Sequence, residues 1–170
     1  MRLFFDTEFH DDGESIELIS IGIVSEIGEE YHAVVEDADW HRIHRDDWLM
    51  ENVVPLLPPK GSPEWKPRAQ IAQEVVSFAG FQPEWWAYCG AYDFVALVQL
   101  CFGPLVQAPR RLGWPKHPMD ISQWKKQMNV KYIPTRNPDR HDALSDAREV
   151  RDSFTYLRQH AADHDLLGTF

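Results

Sequence analysis

The order of strand-like and helix-like segments predicts an α/β domain built around one mixed sheet. Three apolar segments rich in β-branched residues lie close together near the N-terminus, and short polar turns separate them, which is typical of antiparallel strands. Helix-like and strand-like segments then alternate, which favours parallel strands joined by helices. The sequence therefore predicts a mixed central sheet with a three-strand antiparallel half and a parallel half, flanked by helices.

The N-terminal half supplies the predicted antiparallel strands. They cover residues 3–9, 16–24 and 31–35, and the second strand is rich in isoleucine. A short helix is predicted from about residue 46. The stretch 55–67 is punctuated by prolines and a glycine, which predicts a long ordered loop without regular structure.

The C-terminal half alternates helices and strands. Ile71, Val75 and Phe78 fall on one face at helical spacing, which predicts a helix within residues 67–81. The last helix is predicted from about residue 143, because small and apolar residues recur there at alternating steps of four and three. Between these two helices we expect a strand at 84–90, an apolar helix at 92–103 and a strand followed by a helix at 119–128.

Length and composition predict a single globular domain over residues 1–170, located in the cytoplasm. No apolar run reaches the roughly 18 to 20 residues of a membrane span, and no signal peptide is recognisable. Cys89 and Cys101 form no CxxC pair, and we expect both to be reduced thiols in the core. The net charge of −10 argues against binding nucleic acid through a broad basic face, but it allows an enzyme that holds a phosphodiester through divalent metals.

The first predicted strand carries two acids inside an apolar segment, FFDTEF at residues 4–9. Side chains alternate faces along a strand, so Asp6 and Glu8 project from the same face as neighbours. Two buried carboxylates repel each other, and burial disfavours their charged forms. Two interpretations are open from this segment alone: a cation lies between the acids, or the strand is an exposed edge.

Two further acids and one histidine lie near predicted helix starts. Asp93 falls in the first turn of the apolar helix, where a capping acid or a ligand-binding residue is expected. His141 and Asp146 flank the start of the last helix, which Asp142 or Ser145 could cap. Taken alone, Asp93 is typical of a helix-capping acid and His141 of a surface loop residue.

Together, these residues predict a metal site. The carboxylates of Asp6, Glu8, Asp93 and Asp146 supply hard oxygen ligands that suit two Mg²⁺ or Mn²⁺ ions. Two such ions promote in-line displacement at phosphorus, and a histidine beside them can take a proton from the attacking water. The two acids of the first strand are then tolerated because cations neutralise their charge.

Three segments resemble the motifs of the DEDDh 3′–5′ exonucleases, a family with the ribonuclease H-like fold. FFDTEF is similar to the first motif, an Asp-x-Glu on the first strand. CGAYDFVAL is similar to the second motif, and HDALSDA has the His-x4-Asp spacing of the third. The resemblance runs from residue 3 to about residue 157. Within this family, the chain is similar to the ribonuclease T-like exoribonucleases specific for polyadenylate.

The resemblance implies a role for each of these residues. Asp6, Glu8 and Asp146 would hold the metal that activates water, while Asp6 and Asp93 would help to hold a second metal that stabilises the leaving 3′ oxygen. His141 would be the general base. The expected cofactor is Mg²⁺ at two ions per site, and Mn²⁺ can replace it.

Substrate contacts are expected close to these residues. Phe9 follows the acids directly and fits two positions: stacked on the terminal base, a contact worth roughly 1 to 3 kcal/mol, or packed in the core. Arg136 and Arg140 precede the histidine and fit either phosphate contacts or a solvated loop. Thr7, between the two acids of the first strand, is also an expected substrate-binding residue.

The activity implied by the resemblance is an exoribonuclease that releases 5′-mononucleotides from the 3′-hydroxyl end of single-stranded RNA, with a preference for polyadenylate. Three alternatives stay open: a DNA proofreading or short-oligonucleotide exonuclease, an RNA-binding domain without catalysis, and a ribonuclease H-type endonuclease, which the histidine disfavours. Related ribonucleases form dimers in which one subunit supplies basic contacts to the other's site, so a homodimer is expected. Its basic contributors would be Arg110, Arg111, Lys125 and Lys126.

Overall fold

A computed structural model describes residues 1–104, 110–134 and 140–163 of the chain. The predicted strands and helices occur in the predicted order, with an additional short helix at Trp40–Ile43 and an additional short strand at Trp65–Lys66. Two short 3-10 turns lie at Val54–Leu56 and Arg110–Leu112. The strands are β1 (Arg2–Asp11), β2 (Ile16–Ser25), β3 (Glu30–Val35), β4 (Trp65–Lys66), β5 (Glu84–Ala87) and β6 (Met119–Asp120). The helices are α1 (Trp40–Ile43), α2 (Asp47–Asn52), α3 (Arg68–Ala79), α4 (Ala91–Phe102), α5 (Ile121–Gln127) and α6 (Ala143–Asp163).

The six strands form one mixed sheet in the order β4-β3-β2-β1-β5-β6. β1, β2 and β3 pair antiparallel, whereas β5 pairs parallel to β1 and β6 pairs parallel to β5. This arrangement confirms the predicted sheet with an antiparallel half and a parallel half. The parallel strands are joined by helices, as such connections require.

Two sequence-based predictions were wrong in detail. The stretch 55–67 is not free of regular structure, because Trp65 in β4 pairs with β3 and packs its ring 5.0 Å from that of Trp40. A two-residue strand has no sequence period, and only tertiary contacts define it. Cys89 is exposed in the turn between β5 and α4, whereas Cys101 is half-buried.

The sheet separates two hydrophobic cores because neighbouring residues on a strand face opposite sides. Phe5 and Trp85 pack with Leu97 on the side of α3 and α4. Phe4 and Trp86 pack with α5 and α6 on the other side. Asp6 and Glu8 share the alternation of Phe4, so the pattern FFDTEF directs both acids toward α6. Among the described residues, no helix combines the length and apolarity that crossing a membrane requires.

Helix α6 begins almost in contact with the backbone of β2. Gly22 is the residue of β2 that pairs with Asp6. A Cβ at this glycine would lie 2.2 Å from the carbonyl oxygen of Ala143 and 2.4 Å from the Cα of Leu144. Only glycine allows this approach, and the approach brings the first turn of α6 beside the acids of β1.

Candidate active site

Three carboxylates from two elements meet on the α6 side of the sheet. Asp6 and Glu8 come from β1 and Asp146 from the first turn of α6, and one carboxylate oxygen from each lies within 4.8 Å of the other two. Glu8 is only 8% exposed and Asp6 is half-buried. β5 pairs with β1 only at Arg2, Leu3 and Phe4, so the strand is unpaired on that side at the two acids. Their burial nevertheless argues against the exposed-edge interpretation.

The electrostatics of this cluster favour a bound cation. Burial is the largest cause that raises the pKa of Glu8 to about 8, and repulsion from Asp146 and Asp93 adds to it. The pKa of Asp6 is also raised well above its usual value, first by burial and then by the charges of its acidic neighbours. Buried, mutually repelling carboxylates are stabilised by a divalent ion, and an all-oxygen donor set is the kind that Mg²⁺ and Mn²⁺ prefer. The residues therefore fit such a site.

Asp93 reaches the same region from the opposite side of the sheet. It lies in the first turn of α4, and its Oδ1 accepts hydrogen bonds from the Thr7 backbone N–H at 3.1 Å and from the Thr7 hydroxyl at 2.6 Å. Burial raises the pKa of Asp93, and the two bonds from Thr7 oppose that shift. Asp93 lies outside the triplet of Asp6, Glu8 and Asp146, but its charge contributes to the raised pKa of Asp6.

His141 lies just before the start of α6, where a hydrogen bond and a ring contact hold it. Its backbone N–H donates to Oδ2 of Asp146 at 2.9 Å, and its φ of 72° lies in the left-handed region. Its ring meets Trp48 edge to face, with 4.9 Å between ring centroids. Of the two predicted caps, Asp142 is the one observed, since its Oδ1 accepts the backbone N–H of Ser145 at 2.8 Å. The structure therefore places the predicted base next to Asp146, and with it next to the triplet of Asp6, Glu8 and Asp146.

A cleft of about 660 Å³ opens over these residues. Phe9 lines it and is half-buried, at the point where the β1–β2 pairing shifts register. Thr7 also borders the cleft, but it is only 4% exposed and its hydroxyl binds Asp93. Arg140 lines the cleft, whereas Arg136 lies outside the described residues. Substrate contacts by these four residues stay predictions.

No family model matches the chain. A curated 3′–5′ exoribonuclease of Mycobacterium tuberculosis, found in strains H37Rv and CDC 1551, is 42% identical over 153 residues, which covers 88% of each chain. That identity over most of both chains decides the family. The chain belongs to the 3′–5′ exoribonuclease family.

Solved structures place this exoribonuclease family member in the ribonuclease H-like fold. The E. coli exonuclease I complex with single-stranded DNA, in a zinc-bound form, matches with a TM-score of 0.68 at 12% identity. That match covers 99% of this chain and 42% of exonuclease I, so the chain spans less than half of that protein's length. S. pombe Pop2p, bound to Mg²⁺ and Mn²⁺, matches with a TM-score of 0.56 at 15% identity and covers 95% of this chain and 84% of Pop2p.

The sequence did not reveal several cleft residues. Trp48, Tyr88 and Tyr132 line the cleft and are 51%, 51% and 71% exposed. The sequence shows that these residues are aromatic, but nothing in their spacing links them to the acids. Lys125 lines the cleft of its own chain, although the sequence suggested a role across a dimer interface. Burial raises the pKa of Asp146, and the charge of Glu149, a further cleft residue, adds to that shift.

Proposed function

We propose that the chain is a metal-dependent exonuclease that removes 5′-mononucleotides from the 3′-hydroxyl end of single-stranded RNA. The observation that carries this proposal is the convergence of Asp6, Glu8 and Asp146 within 4.8 Å, next to a histidine bonded to Asp146. A domain that only binds RNA gains nothing from buried, repelling carboxylates. The preference for adenylate comes from the resemblance to polyadenylate-specific members, and RNA as substrate is supported by the name of the mycobacterial relatives.

The metal site would be built by four carboxylates. Asp6, Glu8 and Asp146 would hold one ion, and Asp6 with Asp93 would help to hold a second. When bound, two Mg²⁺ or Mn²⁺ ions supply Lewis-acid activation of water and stabilisation of the charge that develops on the leaving 3′ oxygen. Glu8 is buried and the other three acids are half-buried, which strengthens their electrostatic contacts with a bound cation.

His141 would act as the general base. Its imidazole would take a proton from the water as the water oxygen bonds to phosphorus. The bond from phosphorus to the 3′ oxygen would break, that oxygen would take a proton from solvent to become the new 3′-hydroxyl, and a 5′-mononucleotide would leave. The backbone bond to Asp146 and the ring contact with Trp48 both restrict where the imidazole lies. Because His141 is held next to the carboxylates, its imidazole would lie close to a water molecule bound at the metal site.

The cleft walls suit a single strand whose bases are unstacked. Trp48, Tyr88 and Tyr132 present exposed rings, and a base stacked on such a ring contributes about 1 to 3 kcal/mol. Lys125 and Arg140 add positive charge at the same cleft, which favours phosphates despite the net charge of −10. Exonuclease I has been solved with dT13 and dA16 oligonucleotides, which supports a single-stranded substrate for a protein of this fold. The homodimer and the cytoplasmic location stay predictions.

A DNA exonuclease is the second candidate, because the exonuclease I structures of similar fold contain DNA. The test is a gel assay on 5′-labelled RNA homopolymers and matched DNA strands, with Mg²⁺, with Mn²⁺ and with chelator. We expect a metal-dependent ladder that shortens from the 3′ end and runs fastest on oligo(A). A faster ladder on DNA would support the second candidate. RNA binding without a ladder under any metal would support a binding domain instead.

A further inference from the structure

Thr7 lies in the part of β1 that does not pair with β5. β5 pairs with β1 only at Arg2, Leu3 and Phe4, and β5 ends at Ala87. The edge of β1 beyond these pairs is therefore open on the β5 side. The carboxylate of Asp93 fills this opening, since its Oδ1 accepts the Thr7 backbone N–H at 3.1 Å. The backbone N–H of Thr7 on this unpaired part of β1 therefore bonds a side chain instead of another strand.

The Thr7 side chain makes a second bond to the same oxygen. Its hydroxyl lies 2.6 Å from Oδ1 of Asp93, and the residue is only 4% exposed. A hydroxyl bonded to a carboxylate at this distance is a charge-assisted bond, roughly twice as strong as a neutral one. Two donors from one residue therefore fix where the Asp93 carboxylate lies.

Valine has nearly the same shape as threonine and would fill the same space without the hydroxyl. Burial alone therefore does not explain threonine at this position. The hydroxyl distinguishes threonine from valine here because it adds a second hydrogen bond that holds the Asp93 carboxylate in place.

We infer that Thr7 is a positioning residue that orients Asp93 toward the metal site through its backbone N–H and its hydroxyl. The inference rests on the proposed function, since Asp93 matters for catalysis only if it helps to hold a metal. Thr7 then acts through Asp93 and need not touch the substrate. Its hydroxyl contributes to metal affinity and to the rate of the chemical step, and much less to the binding of RNA.

The test compares Thr7→Val, which removes the hydroxyl, with Thr7→Ser, which keeps it. Thr155→Val is the matched control, because the Thr155 hydroxyl donates only to the carbonyl oxygen of Arg151 on the exposed face of α6. Mn²⁺ binding is measured by calorimetry, and cleavage is followed against Mg²⁺ concentration. If Thr7→Val does not fold by circular dichroism, Thr7→Ala provides the same comparison.

We expect Thr7→Val to need about tenfold more Mg²⁺ for half-maximal cleavage, the size expected when one hydrogen bond to a charged group is lost. Its kcat should fall while KM for RNA stays close to that of the wild type, and Thr7→Ser should restore both metal affinity and kcat. In an Asp93→Asn background, Thr7→Val should cause no further loss of Mn²⁺ binding.

Two results separate the inference from the proposed function. A wild-type protein that neither binds Mn²⁺ nor cleaves with any metal overturns the proposed function itself. An active wild type with a Thr7→Val variant of unchanged metal dependence overturns only the role of Thr7. Equal losses in Thr7→Val and Thr155→Val would also overturn it, because the loss would then be general to the substitution.

Discussion

The backbone N–H of His141 donates a hydrogen bond of 2.9 Å to Oδ2 of Asp146, the residue five positions later. The bond connects the residue before α6 to the first turn of that helix. It holds His141 at a φ of 72°, a value uncommon for residues other than glycine. Asp146 also belongs to the carboxylate triplet with Asp6 and Glu8. One side chain therefore connects the main chain of the predicted base to the predicted metal site.

Replacing His141 by alanine should slow cleavage without removing the metal site. A general base contributes about 10² to 10⁴ in rate, and the backbone N–H that bonds Asp146 is kept by alanine. We expect a loss of that size in single-turnover cleavage, with Mn²⁺ binding little changed. His117→Ala, in an exposed loop that does not line the cleft, is the control. A loss of less than about tenfold would argue against His141 as the base.

Replacing Asp6 by asparagine should abolish activity and leave the fold intact. The amide keeps the shape of the side chain but cannot supply a charged ligand, so the measured initial rate should fall close to background. Asp152→Asn removes the same charge from an exposed position on α6 and should cleave normally. Full activity in Asp6→Asn, with unchanged circular dichroism, would contradict the metal site.

The stability of the metal-free protein should fall as pH rises. The pKa of Glu8 is raised from 4.5 to about 8 in the fold, so the folded state favours the protonated carboxyl. That contribution to stability is present below a pH of about 4.5 and is lost as the pH rises toward about 8. Thermal melts with chelator should therefore show a lower Tm at high pH. Added Mg²⁺ should raise the Tm more at high pH than at low pH. Equal Mg²⁺ stabilisation at both ends of this range would contradict a cluster of protonated acids.

Aromatic residues of the cleft should contribute to RNA binding. Tyr132→Ala removes a ring that is 71% exposed in the cleft, and KM for RNA should rise by about five- to one hundred-fold if a base stacks there. Tyr92→Ala is the matched control, since Tyr92 is also exposed but does not line the cleft. Indistinguishable KM values for the two variants, measured on oligo(A), would remove Tyr132 from the substrate path.

Local patterns predicted the elements well. The alternation in FFDTEF correctly placed Asp6 and Glu8 on one face, because side-chain direction in a strand depends only on neighbouring residues. Helix periodicity likewise predicted α6 from about residue 143, where the structure begins it at Ala143. The convergence of Asp146 with β1 was implied by three motifs that resemble a known family, and no local pattern could have provided it.

Contacts that depend on where other elements end were not predictable. Thr7 bonds Asp93 because β5 ends at Ala87 and leaves the edge of β1 open. Trp48 lies beside His141, although 93 positions of chain, the difference between 141 and 48, separate the two residues. Such contacts result from tertiary packing, and single-sequence periodicity carries no information about them.

Gly22 should control the position of the whole active site, and Gly22→Ala tests this. The added Cβ would lie 2.2 Å from a backbone oxygen of Ala143, and a backbone atom cannot rotate away as a side chain can. The start of α6 must therefore shift, and it carries Asp146 away from Asp6 and Glu8. Overpacking of this kind typically destabilises by about 1 to 3 kcal/mol, which urea unfolding can measure.

The decisive readout for Gly22→Ala is activity per folded molecule. We expect kcat to fall at temperatures where the variant is fully folded, together with weaker Mn²⁺ binding, because the ligand triplet is spread apart. Ser20→Ala is the control: Ser20 lies two residues away on the same strand, is fully buried, and its hydroxyl has no hydrogen-bond partner among the described residues. Normal cleavage by folded Gly22→Ala would show that a shift of α6 does not separate Asp146 from Asp6 and Glu8. The close approach at Gly22 would then serve packing alone.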